Sequence, residues 1–383
     1  MIPLQQPCVG AAELAAVGQV FELRWLGMGA ETRQFEQALE NLLNVKHVIA
    51  VNTGTSALHL ALAALDLLSG DEVIVPSLTF VASPQAILAA GGTPVFCEID
   101  PQTLNLDLTD VAACITPRTR AIMPVHYGGV PSDMRPLLAM AKEHGLRVIE
   151  DAAHAFGSRY EGQLIGSFGD VTCFSFDPIK NITCGEGGAI ATNDLALAER
   201  VKIARILGIS NHTWNRLHQE RSWAYEVGSP GFRYHLSNIN AAIGLIQLGR
   251  AHEFRERKQA LVRRYEQLLP RHELIRLVTR ASDDVFPFFY VIRVLGSHRD
   301  EMMRRLKARG IDTGIHYIPN HLQPLFRANQ RALPVTERAF GEILTLPLFV
   351  EMADDQVQRV AEEIANALDE LRSAPAALPA ALS

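Results

Sequence analysis

Residues 174–188 read FSFDPIKNITCGEGG, in which one lysine, Lys180, stands between a strand-like apolar run and a glycine-rich turn. A lysine that is partly removed from water has a lowered pKa and can act as a Schiff-base nucleophile or as a phosphate ligand. Most lysines, in contrast, lie on the surface without a special role. The segments that the fold brings next to Lys180 must decide between these interpretations.

Composition excludes several classes of protein. The 383 residues, 48% hydrophobic, are enough for two domains or for one large domain with a smaller companion. The net charge of -6 comes from acidic and basic residues spread along the chain, so we expect neither a nucleic-acid nor a membrane partner. No secretory signal is visible at residues 1–14.

The cysteines are odd in number and widely spaced, and they form no CxxC or Cys/His pattern. They are Cys8, Cys97, Cys114, Cys173 and Cys184. We therefore expect no metal site, and a reducing compartment, the cytoplasm, fits best.

Strand-like and helix-like segments alternate along the first part of the chain. In order they read HVIAV, TSALHLALAAL, DEVIVP, VASPQAILAAG, TPVFCEI, DLTDVAACI, TRAIMPVH, PLLAMAKEHG, RVIED and DVTCFSF. Short apolar strands separated by helices are typical of an α/β fold with a mainly parallel sheet that is covered on both faces. Ligands bind at the carboxyl ends of the strands in such folds.

The pattern changes near residue 250, where a long helical segment, 236–269, turns from apolar to highly charged. We predict a large domain with an N-terminal arm over 1–250 and a smaller C-terminal α/β domain over 251–372. The alanine- and proline-rich tail, 373–383, is expected to be flexible.

Several polar groups fall at the predicted strand ends. Asp151 ends RVIED, where a carboxylate is either a helix cap or a functional group. The turn NTGTSA at 52–57 joins a strand to a helix, and its free N–H groups and hydroxyls suit a phosphate, although an ordinary helix cap would look the same. Phe80 and Ser175 follow two further strands.

Together these residues supply a phosphate cradle, an aromatic face, a carboxylate and a lysine at one edge of one sheet. This set matches the needs of pyridoxal 5′-phosphate (PLP), which requires a Schiff-base lysine and an acid at its ring nitrogen. The sequence therefore predicts a PLP site that includes Lys180 and Asp151.

The chain also resembles the DegT/DnrJ/EryC1/StrS family of sugar aminotransferases, which have the PLP-dependent transferase fold of type I. The resemblance covers nearly the whole chain and lies in VNTGTSALHLAL, GDEVIVPSLTFVAS, AIMPVHYGG, VIEDAAHAFGSRYEG, GSFGDVTCFSF, KNITCGEGG and SNINAAIGLIQL. These motifs occur in the order and at the spacing of the family.

The resemblance implies a role for each matching residue. Lys180 corresponds to the lysine that holds the cofactor, Asp151 to the acid at the ring nitrogen and His154 to the residue beside the 3′-oxygen. The positions that correspond to the phosphate contacts and the stacked aromatic ring are Gly54, Thr55, Ser56, Ser175 and Phe80. Some relatives act as dehydratases and have histidine in place of the lysine, which Lys180 argues against.

The segment GFRYHLSNINAAIG departs from the usual family pattern. Arg233 falls where other members place an Asn or Lys that reaches the partner subunit's cofactor phosphate, and arginine can bind phosphate bidentately. His235, His316, His321 and Glu186 fall at positions near the substrate, although the two histidines of the loop 314–324 could equally be surface or core residues.

The resemblance implies ping-pong transfer of an amino group from L-glutamate to a keto-sugar, by a homodimer with shared active sites. The motifs point to a nucleotide-linked 4-keto sugar of lipopolysaccharide or another cell-surface glycan. Two alternatives remain open: another keto-sugar, such as a 3-keto-hexose or an octulosonate, and a binding or regulatory protein that keeps the fold without catalysis.

Overall fold

The computed structural model describes residues 1–209, 225–327 and 331–373. Within these ranges the helices are α1 (Ala11–Glu22), α2 (Ala30–Leu43), α3 (Gly54–Ala63), α4 (Ala82–Ala89), α5 (Leu108–Cys114), α6 (Met134–His144), α7 (Leu195–Ala204), α8 (Asn238–Leu268), α9 (Arg299–Ala308), α10 (Pro334–Glu342) and α11 (Asp354–Ser373). The predicted flexible tail lies outside the described residues, apart from Ser373.

The strands are β1 (His47–Val51), β2 (Glu72–Pro76), β3 (Thr93–Cys97), β4 (Thr119–Ile122), β5 (Arg147–Asp151), β6 (Arg159–Tyr160), β7 (Gln163–Leu164), β8 (Val171–Ser175), β9 (Gly188–Thr192), β10 (Ile275–Leu277), β11 (Tyr290–Val294) and β12 (Ile343–Leu346). In the described part of the chain, no helix is both long enough and apolar enough to span a membrane.

The main sheet has the strand order β1-β9-β8-β5-β4-β2-β3. The pairs from β8 to β3 are all parallel, which confirms the predicted α/β fold. Helices cover both faces because alternate side chains of each strand point in opposite directions. Ile49 and Ile149 pack in one core with residues of α3 and α7, whereas Val48 and Val148 pack in two further clusters on the opposite face.

Strand β9 is the exception to the parallel arrangement, since it pairs antiparallel with both β8 and β1. No crossover helix separates β8 from β9. The chain between them, residues 176–187, therefore turns back at the carboxyl edge of the sheet instead of crossing to the other edge. This segment carries Lys180, and its geometry keeps the lysine at the edge where ligands bind in such folds.

A second core lies around the antiparallel sheet β10-β11-β12 and the helices α9 and α11. Residues of the second half of α8, such as Tyr265, are buried in it, and so is Ile2 from the start of the chain, which forms a backbone bridge with Ile311. Helix α8 is continuous across residue 250 and contributes to both cores. The domain boundary at this position remains a prediction.

A buried ion pair attaches two helices to the strand that leads into the 52–57 turn. Arg205, directly after α7, donates to the Oε1 atom of Glu36 on α2 at 2.6 Å and to the carbonyl oxygen of Ala50 at 2.7 Å. The amide of Ala50 donates to the same Glu36 oxygen at 3.0 Å. Both charged side chains are 9% exposed, so neither charge is compensated by bulk water.

We predict that Glu36→Gln lowers the free energy of unfolding by about 3–5 kcal/mol, because it leaves the buried Arg205 charge without its carboxylate. Urea unfolding at a fixed protein concentration measures the change. Glu199→Gln is the matched control, since it breaks the exposed pair between Glu199 and Lys202 and should cost no more than about 1 kcal/mol. An equal loss in the two variants would contradict the prediction.

Candidate active site

A cavity of about 380 Å³ opens at the carboxyl edge of the main sheet. It is lined by Thr53, Gly54, Thr55, Leu58, Thr79, Phe80, Ala82, Asp151, Ala153, His154, Ser175, Asp177, Ile179, Lys180, Glu186, His316 and Tyr317. Residues that follow β1, β2, β5 and β8 meet here because the ends of parallel strands share one edge.

One wall of the cavity is the N-terminus of α3. Thr53 caps this helix, since its hydroxyl accepts a hydrogen bond from the Ser56 amide at 3.0 Å. Gly54 lies so close to Ser175 that a Cβ atom on it would be 2.7 Å from the Ser175 Cβ atom. Gly54, Thr55 and Ser175 line the cavity, whereas the Ser56 hydroxyl is engaged with Asn52 and Thr53 inside the cap.

Asp151 ends β5 and is 5% exposed. One carboxylate oxygen accepts a hydrogen bond from the Ser83 hydroxyl at 2.6 Å, and the other accepts one from the amide of Ala153 at 3.2 Å. Burial raises the pKa of Asp151, and these hydrogen bonds and the positive charge of Lys180 partly oppose the increase. The neighbouring Glu150 has a different role, because it binds His126 inside the core.

Lys180 faces the same cavity from the loop between β8 and β9, with its Nζ atom 4.4 Å from the centroid of the Phe288 ring. Burial lowers the pKa of Lys180 to about 8, although the negative charges of Asp177 and Asp151 oppose the shift. A substantial fraction of this amine is therefore unprotonated near neutral pH, as a nucleophilic or basic lysine requires.

His154 stacks on Tyr317, which also lines the cavity, and on Phe288, which lies behind it. Its ring lies 4.5 Å from the Phe288 ring at an interplanar angle of 15°, and its Nε2 atom is 2.9 Å from the Tyr317 hydroxyl. The Nδ1 atom is buried and has no hydrogen-bond partner among the described residues. Burial, followed by the charges of Lys180 and His316, holds the pKa of His154 well below its usual range, so the ring is neutral at physiological pH.

Of the remaining predicted substrate residues, some line the cavity and others lie outside it. Glu186 and His316 line the cavity, and the Nδ1 atom of His316 is 2.8 Å from the Thr345 hydroxyl. His321 lies outside the residues that line it, is 4% exposed, and connects Ser77 with Glu337 through its two ring nitrogens. Its contacts are those of a core histidine, which was one of the two interpretations of the sequence.

Arg233 and His235 also lie outside the lining of this cavity. Both belong to the segment before α8, where Arg233 forms a backbone bridge with Ile206 and His235 forms one with Val51. The Arg233 side chain is exposed. Burial and the positive charges of Arg233 and Arg205 lower the pKa of His235. Within a single chain, therefore, neither side chain belongs to the site.

The residues present fit PLP. The cavity has free N–H groups at the α3 N-terminus and the Ser175 hydroxyl for a phosphate, a carboxylate for a ring nitrogen and a lysine amine. Phe80 is 54% exposed and supplies an aromatic face, and the unpartnered His154 Nδ1 atom can accept or donate a hydrogen bond.

Several residues of the site were not identified from the sequence, among them Ser83, Tyr317 and Asp177. Ser83 belongs to the quoted motif PSLTFVAS, but nothing in the chain order shows that it meets Asp151. Tyr317 follows His316 in a loop where only the histidines were selected, and its ring lies 5.7 Å from that of Phe80. Asp177 stands three residues before Lys180, and this spacing was the available signal.

We predict that Lys180 in the cofactor-free, full-length chain titrates with a pKa of about 8, because burial disfavours its charged form. The rate of its reaction with acetic anhydride, followed by peptide mass spectrometry as a function of pH, measures this value. An N-acetyl-lysine amide in the same solution is the reference, with a pKa of about 10.4. Identical titration of the two amines would contradict the prediction.

The family model described as the DegT/DnrJ/EryC1/StrS aminotransferase family matches residues 7–365. The chain is 38% identical to the spore coat polysaccharide biosynthesis protein SpsC of Bacillus subtilis, over 95% of this chain and 96% of SpsC. It also superposes on the aminotransferase TlmJ of Streptoalloteichus hindustanus with a TM-score of 0.91 and 37% identity, over 97% of this chain and 100% of TlmJ.

A third relative has been solved in two states of the cofactor. The form of Spr1654 from Streptococcus pneumoniae with pyridoxamine 5′-phosphate (PMP) matches with a TM-score of 0.92 and 27% identity, over 97% of this chain and 100% of the Spr1654 chain. Its PLP-form matches with a TM-score of 0.90. The chain therefore belongs to the DegT/DnrJ/EryC1/StrS family and is a PLP-dependent aminotransferase.

Proposed function

We propose that the protein transfers the amino group of L-glutamate to a nucleotide-linked 4-keto sugar, for the synthesis of a cell-surface polysaccharide or a related glycan. The proposal rests on one observation: Lys180, Asp151 and the N-terminus of α3 line the same cavity. The sugar rests on membership of the family and on the name of SpsC, which refers to a coat polysaccharide. The unpaired cysteines fit a reducing compartment, and we place the reaction in the cytoplasm.

Four residues would bind the phosphate and the ring nitrogen of the cofactor in this proposal. The N–H groups of Gly54 and Thr55 and the Ser175 hydroxyl would bind the phosphate, and Asp151 would lie at the ring nitrogen. When bound, PLP supplies an electron sink that stabilises negative charge on a substrate carbon. Asp151 would keep the proton on the facing nitrogen, since an ionised carboxylate in a buried site attracts that proton strongly.

Lys180 would first hold the cofactor and later move a proton. An ordinary lysine is almost fully protonated at pH 7.5 and cannot accept a proton, whereas a lysine with a pKa of about 8 is partly free to do so. The negative charges of Asp177 and Asp151 act on this amine and stabilise its charged form while it carries the proton.

His154 and Tyr317 would orient the bound ring. Because the pKa of His154 is low, its imidazole is neutral and one ring nitrogen accepts while the other donates. Tyr317 occupies Nε2, which leaves Nδ1 for the group in the cavity. His316 is also neutral at pH 7, since burial and the charge of Lys180 lower its pKa to about 4.

The sugar would enter over an apolar rim. Phe80 and Ile179 line the cavity and are 54% and 40% exposed, and Ile318, next to Tyr317, is 53% exposed. Glu186 and His316 lie among these residues and can bind sugar hydroxyls. His235, in contrast, lies outside the cavity of its own chain, so a contact with the substrate would have to come from the partner subunit.

The same exposed surface supports a homodimer with shared sites. Exposed apolar side chains that are grouped around a binding site mark a candidate surface for another molecule. Arg233 does not line the cavity of its own chain, is exposed, and makes no ion pair within the described residues. We propose that it binds the cofactor phosphate in the partner subunit, as the guanidinium group is suited to do.

A panel of keto-sugars tests the substrate. With L-glutamate as donor, we expect mass spectrometry to detect amination of a nucleotide-linked 4-keto sugar with a kcat/KM at least about tenfold above that of a free 3-keto-hexose or an octulosonate. Lys180→Ala should abolish the product with every sugar, and Lys202→Ala, a surface variant, should not. Preference for a free sugar would support the alternative substrate, and an active Lys180→Ala protein would overturn the proposed role of the lysine.

Mixing two inactive variants tests the shared site. Lys180→Ala and Arg233→Met subunits, unfolded together and refolded, should form hybrid dimers in which one of the two sites contains both native residues. Because about half of the dimers are hybrids, we expect about a quarter of the wild-type activity. A site made within one subunit would regain nothing, and this outcome would exclude the proposed role of Arg233.

A further inference from the structure

A second lysine lies behind the active site. Lys258 belongs to the highly charged second half of α8, where the sequence RERKQALVRRY predicts a solvent-exposed side chain. It is nevertheless only 4% exposed. Lysine is almost never buried to this extent unless its charge is paired, so the position requires a physical reason.

No carboxylate pairs with Lys258 among the described residues. Its Nζ atom donates to the Asn181 side-chain oxygen at 3.0 Å and to the carbonyl oxygen of Phe288 at 3.2 Å. A neutral amine has two hydrogens and an ammonium group has three, so these two acceptors can bind both hydrogens of the neutral form but not all three of the charged form. Asn181 follows Lys180 directly in the chain, and its side-chain Nδ2 atom donates to the carbonyl oxygen of Phe286 at 3.0 Å.

The Phe288 side chain connects the two lysines. The Nζ atom of Lys180 is 4.4 Å from the ring centroid, and that of Lys258 is 5.9 Å from the same centroid. The two amines are therefore within about 10 Å of each other, across a buried ring that excludes water. His154 stacks on this ring as well. Two positive charges at this separation repel each other far more strongly than in water.

We propose that Lys258 is a positioning residue for Lys180: it holds Asn181 and Phe288 in place next to the Lys180 side chain, and its amine competes with that of Lys180 for a proton. The proposal rests on the proposed role of Lys180 in the reaction. Lys258 itself does not touch the cavity that would hold the cofactor and substrate.

The surrounding charges decide which amine takes the first proton. Asp151 and Asp177 face Lys180 and favour its charged form, while His154 and His316 are neutral. On the other side, the titratable neighbour of Lys258 is Cys8, which lines the small space that both lysines share and whose pKa is raised by burial. Among the described residues, no carboxylate acts on Lys258, so Lys180 is protonated first.

The pKa values agree with this order. Burial, together with the charge of Lys180, lowers the pKa of Lys258 to about 7. Coupling between two sites is reciprocal, so a charge on Lys258 must lower the pKa of Lys180 by the same amount. The two amines therefore compete for protons near neutral pH, and any change that forces a charge onto position 258 lowers the pKa of Lys180.

The test compares two substitutions at position 258 in the full-length, cofactor-free chain. Arginine carries a permanent charge at this position and methionine carries none. We expect the pKa of Lys180, measured by acetic anhydride labelling, to be at least about half a unit lower in Lys258→Arg than in Lys258→Met. Lys202→Met, on the exposed face of α7, should leave the wild-type value unchanged. Equal pKa values in the Arg and Met variants would overturn the proposal.

A second variant avoids substitution of the buried lysine. Lys180→Met removes the charge that opposes protonation of Lys258, so we expect the labelling pKa of Lys258 to rise above its wild-type value. An unchanged value would overturn the coupling even if the position 258 variants failed to fold. Neither measurement depends on turnover. Loss of the coupling with an inactive Lys180→Ala protein would reject only this inference, whereas an active Lys180→Ala protein would reject the proposed function.

Discussion

The site depends on one geometric constraint: parallel strands that share a sheet place all their carboxyl ends at one edge. Three parts of the site come from distant parts of the chain: Asp151, the β2–α4 segment with Phe80, and the β1–α3 turn with Gly54. They meet because β1, β2 and β5 point in the same direction. If any one of these strands ran in the opposite direction, the residues that follow it would lie at the other edge of the sheet. That edge is roughly 15 Å away, which is about the length of a five-residue strand.

The reversal at β9 is what allows Lys180 to join this set. Because β8 and β9 pair antiparallel, the twelve residues between them stay at the ligand edge, and the lysine reaches the cavity from a loop. Gly54 then has to pack directly on Ser175, where a side chain would collide with it. The phosphate cradle and the lysine are thus parts of one packed unit, in which α3 lies on β8.

Burial gives these groups their chemical properties. The same desolvation that raises the pKa of Asp151 lowers those of Lys180, His154, His316 and Lys258. Burial therefore favours the neutral forms of both acids and bases. A charged form is stabilised only where a group of opposite charge faces it. This explains why the histidines of the site stay neutral and why Lys180 is partly unprotonated at a pH where an exposed lysine would be fully charged.

Much of the fold and the centre of the site could be predicted from the sequence alone. The apolar periodicity identified the helices and strands around the main sheet, and the motifs around Lys180, Asp151 and the 52–57 turn identified the family and its cofactor, because these signals are local in the chain. Contacts between distant residues left no such signal. Tertiary packing decided these contacts, since each depends on which surfaces the folded chain removes from water. They are the hydrogen bond from Ser83 to Asp151, the contact of Tyr317 with His154, the core position of His321 and the burial of Lys258 in a charged segment.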